Sequence, residues 1–181
     1  MSKSAYSVFE FVDQKTGEWK IANLYQKYGE GCPEPYGIAQ LINGNSELSS
    51  VLFGEEVLDY LIDDDGTIID NLVDPLGRIS NIIEESSGAI PINAAKETKI
   101  LYDKFCSSPL GNDNGHKYYP PCVTYTLQTL DLIELLAKSA TAKATRNFNK
   151  YFAQVRWLLY TVMRMEYVSK ASDVRVVIWE I

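Results

Sequence analysis

The chain carries one histidine, His116, and three cysteines, Cys32, Cys106 and Cys122. A single histidine excludes a polyhistidine metal site within one chain. Cys106, His116 and Cys122 fall in one region and would supply three zinc ligands, but their spacing matches no usual zinc pattern. A Cys–His nucleophile pair would need Cys106 or Cys122 beside His116, and no nearby residue marks an oxyanion hole or an orienting partner. No C-x-x-C pair occurs, so the expectation is three reduced thiols in a reducing compartment. Asp63-Asp64-Asp65-Gly66-Thr67-Ile68 resembles the middle of a calcium loop. Its first position would be Leu61 and its twelfth Leu72, so the bidentate carboxylate is missing and a solvated turn is expected. Neither G-x-x-x-x-G-K-[ST] nor G-x-G-x-x-G is present, and Ser49-Ser50 and Ser86-Ser87 sit in no G-x-S-x-G context. The expectation is therefore no catalytic residue, no metal and no cofactor.

Charge is the more distinctive signal. The net charge is −7, yet residues 1–90 hold 16 acidic and 5 basic side chains, while residues 91–181 hold 8 acidic and 12 basic. Residues 47–85 hold 11 acidic side chains against Arg78 alone, densest at Glu55, Glu56, Asp59, Asp63, Asp64, Asp65 and Asp70. These seven are the candidate partner-binding residues, an acidic face suited to a basic, nucleic-acid-binding protein. Lys138, Lys143, Arg146, Lys150, Arg156, Arg164, Lys170 and Arg175 mark the opposite pole. Lys143, Arg146 and Lys150 would share a helix face, but a pI near 4.8 argues against nucleic acid as the primary ligand.

The elements that position these residues follow from periodicity. Tyr6–Val12 and Glu18–Tyr25 alternate around a Gly17-containing turn, which predicts a β-hairpin. Leu48–Ile62 has helical spacing; residues 66–92 are ambiguous, with Pro75 and Gly77 as breakers. A helix is expected over Asn93–Phe105 with Asn93 as cap, and another beginning at a Thr129 cap. The longest periodic run, Ala144–Val168, predicts an amphipathic helix, and Asp173–Ile181 a strand. Together they predict one α+β domain over residues 1–181: a small antiparallel sheet, N-terminal hairpin plus C-terminal strand, packed on one face by about four helices. Length and composition suit one globular domain. No apolar run is long enough for a membrane span and the N-terminus lacks the block of a secretory signal, so a cytoplasmic protein is expected.

Three segments carry a family resemblance: Lys15-Thr16-Gly17-Glu18-Trp19-Lys20, Tyr125-Thr126-Leu127-Gln128-Thr129-Leu130, and Asp173-Val174-Arg175-Val176-Val177-Ile178-Trp179. They resemble a group of small bacteriophage and prophage proteins, many of which start Met-Gly-Cys-Asp-Ile-His. This chain has Ser4-Ala5-Tyr6-Ser7 near its start, and Cys122-Val123-Thr124 where the group carries further histidines. The resemblance implies an accessory protein of a mobile element acting in the host cytoplasm. By type it is similar to anti-CRISPR inhibitors. The expected function is thus a non-enzymatic inhibitor binding a basic host protein, with a CRISPR effector nuclease such as Cas9 the leading partner. The alternatives are a small hydrolase or nucleotide-sequestering protein with a site near residues 106–125, and a structural or packaging accessory.

Overall fold

β-branched and aromatic residues at Tyr6–Val12 favour an extended chain, and β1 spans Ser4–Val12. The computed structural model describes residues 4–22, 39–43, 70–106, 119–140, 145–146, 149 and 152–180. β1 turns through residues 13–18 into β2 (Trp19–Ile21). Gly17 sits at φ +74°, in the left-handed region that a residue without Cβ enters freely. Its amide donates to the Asp13 carbonyl (2.8 Å), and the Asp13 amide donates to the Glu18 carbonyl (2.8 Å). The Asp13 carboxylate accepts the Lys15 amide (2.8 Å) and pairs with Lys20 Nζ (2.5 Å). The Lys20 hydrogen bond, then the Lys15 amide, hold that carboxyl below its ordinary value.

The remaining strands are β3 (Ala39–Asn43), β4 (Ser87–Gly88), β5 (Cys122–Thr126) and β6 (Val174–Glu180). All pairings are antiparallel, in the order β2-β1-β6-β5-β4, with β3 also on β1. β6 covers one edge of β1 from Ala5 to Phe11. β3 and β2 therefore share the other edge, β3 along Ser4–Ser7 and β2 along Glu10–Val12. The two ends of the chain meet in the sheet, as the patterning predicts, and the fold is α+β.

Four helices are described: α1 (Asp70–Ser86), α2 (Lys96–Cys106), α3 (Leu127–Ala140) and α4 (Ala153–Met165). Strand residues point alternately to the two faces. Phe9 opposes Val176, which opposes Tyr125; these side chains join Ile79 and Ile83 of α1, Leu130 and Ile133 of α3, and Val155, Leu159 and Val162 of α4 in the larger core. Val8 opposes Val177 on the other face, where Leu101 and Tyr102 of α2 pack with Cys122 and Trp179. The helices thus lie on both faces, three against one, rather than on a single face. A sheet buried on both sides needs an apolar residue at nearly every position of its central strand. β6 meets this with Val174, Val176, Val177, Ile178 and Trp179, all buried.

The element boundaries move in four places. α1 runs through Pro75 and Gly77. An interior proline costs about 3 kcal/mol; burying Ile79 and Ile83 at about 1.5–3 kcal/mol each offsets it. α2 begins at Lys96, because the Asn93 side chain is taken by Arg175 and a distant carboxylate occupies the helix start. α3 begins at Leu127, directly after β5, and its cap is Thr126: the Thr126 hydroxyl accepts the Thr129 amide (3.1 Å) and lies 2.9 Å from the Thr129 hydroxyl. α4 begins after buried Phe152 and ends at Met165; Thr145, Arg146 and Asn149 have helical backbone, but the expected unbroken helix from Ala144 does not form across Phe152. The expected Leu48–Ile62 helix lies outside the described residues.

Candidate functional site

β1 has one charge in its apolar run, Glu10, and β6 has Arg175 among valines. The strand register sets the two directly opposite each other on the α2 face. Arg175 Nε donates to Glu10 Oε1 at 2.7 Å, with Glu10 fully buried and Arg175 5% exposed. Glu10 Oε2 accepts both the Ala95 amide (2.7 Å) and the buried Thr98 hydroxyl (2.7 Å). A carboxylate from a distant strand thereby caps the start of α2, where the helix dipole favours negative charge. The Arg175 guanidinium donates onward to Asn93 Oδ1 (3.1 Å) and to the Asn93 carbonyl (3.4 Å). Its carbon lies 3.7 Å from the Trp19 ring centroid, a cation–π stack delivered by the hairpin.

This node ties β1, β2, β6 and α2 together, with both carboxylate oxygens engaged. Two desolvated charges are tolerable only with such complete pairing. A cleft of about 560 Å³ opens beside it, lined by Glu18, Trp19, Asn93, Lys96 and Lys99. Lys99 Nζ donates to the Ile92 carbonyl (2.5 Å). The chemistry of the node is positional: it holds elements and fixes Trp19 at the cleft wall.

A second region is polar and aromatic, on the outer surface of α3 and α4. Glu134 of α3 bridges Lys138 (2.5 Å) and Arg156 of α4, and Arg156 also lies 3.9 Å from Asp131. The Tyr160 hydroxyl donates to both oxygens of Asp131 (3.2 Å each), and the Arg156 guanidinium stands 5.9 Å from the Tyr160 ring centroid. Partial burial, then the Asp131 carboxylate, push the Tyr160 hydroxyl above its ordinary value. Trp157 is 63% exposed and Tyr160 41% exposed. Tyr167, at φ +54° just past the end of α4, is 89% exposed.

Of the seven candidate partner-binding residues, Glu55, Glu56, Asp59, Asp63, Asp64 and Asp65 lie outside the described residues. Asp70 is the first residue of α1. Among the described residues, no three His, Cys, Asp or Glu side chains form a group that could hold a metal ion. For the 106–125 region, His116 lies outside the described residues, and Cys122 is buried against α2, Val8 and Trp179. Tyr125 is buried on the opposite face of β5, against Phe152 (centroids 6.1 Å, edge-on). Cys122 and Tyr125 therefore cannot line one pocket. Among the described residues no helix is long and apolar enough to cross a membrane.

The Glu10–Arg175 node was not singled out from the sequence. A usable signal was present: each residue is a charge set inside an apolar stretch, Glu10 within Val8–Val12 and Arg175 within Val174–Trp179, and the two charges are opposite. Comparison with family models, with curated proteins and with solved structures finds no match.

Proposed function

We propose that this chain is a non-enzymatic binding protein of mobile-element type, whose acidic half docks onto a basic, nucleic-acid-processing host protein. The observation that carries the reading is the placement of acidic charge at the expense of helix stability. Glu84 and Glu85 occupy the last turn of α1, which has no basic residue there. The negative end of the helix dipole favours cations at that position, by about 0.3–1 kcal/mol per charge. Both glutamates are exposed and enter no ion pair among the described residues. They continue in sequence the acidic run that begins at Glu47, so acidic charge extends onto α1. A surface of this sign speeds encounter with a basic partner and competes with its nucleic acid.

A CRISPR effector nuclease such as Cas9 is the partner to test first. Binding is titrated for the wild type and for the Asp63→Lys/Asp64→Lys/Asp65→Lys and Glu84→Lys/Glu85→Lys variants, at low and high salt, beside a DNA-cleavage assay. The expected result is inhibition of cleavage by the wild type, with slower association for both variants. Binding should weaken as salt shortens the Debye length to about 10 Å at 0.1 M. Absence of binding, or binding indifferent to salt and charge reversal, overturns the reading.

A further inference from the structure

An amphipathic surface helix normally turns charged and small polar residues to solvent. α4 does otherwise. Its inner face is Val155, Leu158, Leu159 and Val162, all buried. On its outer face Trp157, Tyr160 and Arg164 stand at i, i+3 and i+7, one stripe along the helix, and all three are exposed. Tyr167 follows three residues after Arg164, just past the helix end, and is also exposed. Its left-handed backbone is uncommon for a residue with a Cβ, and glycine is the usual occupant of that position. The Tyr160 ring is held in place from two sides, by its hydroxyl bond to Asp131 and by the Arg156 guanidinium. Arg164 enters no ion pair among the described residues.

We infer that this stripe is a binding platform for single-stranded nucleic acid, with Trp157, Tyr160 and Tyr167 stacking on bases and Arg164 meeting phosphate. The charge around it selects this occupant. From α4 to Lys170 the described residues carry three basic side chains, Arg156, Arg164 and Lys170, and one acidic, Glu166; Asp131 and Glu134 of α3 engage Arg156 and leave Arg164 and Lys170 for an anion. Flat exposed rings interleaved with arginine suit a flexible polyanion, because every base offers a π-face and every phosphate a charge. The stripe uses none of the residues of the proposed acidic docking surface and stands whether or not that surface has a partner.

The test is fluorescence anisotropy of labelled oligo-dT and oligo-U, about 12 nucleotides long, titrated with the full chain at about 50 mM salt. Intrinsic fluorescence is followed in parallel. Of the three tryptophans, Trp179 is fully buried and Trp19 is stacked under Arg175, so quenching reports Trp157. The expected result is binding with quenching, weakened about five- to tenfold by Trp157→Ala and reduced in its salt dependence by Arg164→Glu. Glu84→Lys/Glu85→Lys, remote in sequence, serves as the control and should not weaken it. DNA and RNA are distinguished by the two oligonucleotides. No binding to either, or binding unchanged by Trp157→Ala and Arg164→Glu, overturns the inference. Light scattering should show no self-association that depends on Trp157; a dimer dissolved by Trp157→Ala would assign the stripe to a second copy of the chain and overturn it equally.

Discussion

On one face of the sheet, Phe9, Tyr125 and Val176 meet α1, α3 and α4 chiefly through apolar contacts. On the other, Glu10, Thr98 and Arg175 are buried beside Val8, Leu101 and Trp179 against the single helix α2. The first face is held by area: many side chains each add a share, and hydrophobic burial is not directional. The second is held by complementarity, because a buried charge stabilises only if its partner is present and correctly placed. The apolar face should accept volume-conserving changes, and the polar face should respond sharply to loss of one partner. The polar node also limits alternatives. A one-residue slip of β1 on β6 would send Glu10 to the apolar face and separate it from Arg175.

The largest effect is expected where a charge enters the apolar face. Leu159 is fully buried in the centre of the larger core. Leu159→Asp places an unpaired carboxylate there, at a cost of several kcal/mol, and should abolish cooperative thermal unfolding followed by circular dichroism. A wild-type melt from this variant would mean α4 packs through another face.

Next comes the node. Arg175→Leu leaves Glu10 buried without its cation and should cost about 3–5 kcal/mol in urea unfolding. The double variant Glu10→Leu/Arg175→Leu should lose clearly less than the sum of the two single losses. Additive losses would remove the claim that the two act as a pair. A smaller effect is expected from Trp19→Leu, which keeps apolar cover over Arg175 but removes the ring face. The loss should be about 1 kcal/mol, and no loss would show that Glu10 and Asn93 suffice to hold the guanidinium.

The smallest effect tests the hairpin that delivers Trp19. Asp13 has a carboxyl pKa depressed on folding, so its contribution is present above the unfolded value and is lost as pH falls through the folded one. Asp13→Asn should therefore be slightly less stable than the wild type at pH 7. The gap should close as pH drops below 3.8, the ordinary value of the group. A gap that persists in acid would point to geometry of the turn rather than its charge.

Local chemistry determined the hairpin, the terminal strand and the apolar faces of α3 and α4. In these, turn residues, alternation and helical spacing all agree over neighbouring positions. Local chemistry also separated the charges into two halves, which is a property of composition. What it left open depended on residues far apart in the chain. Asn93 looks like a helix cap, but Arg175 takes its side chain, 82 positions away, and Glu10, 85 positions from Ala95, caps the helix instead. Pro75 reads as a breaker until Ile79 and Ile83 find a core to enter. The division of helices between two faces was decided by the strand register, which sets Val8, Glu10, Val177 and Trp179 toward α2. The aromatic stripe of α4 has a mixed origin. Helical spacing sets Trp157 and Tyr160 off the face of Val155, Leu158, Leu159 and Val162; only the packing decided that the described elements bury that face and leave the two rings exposed.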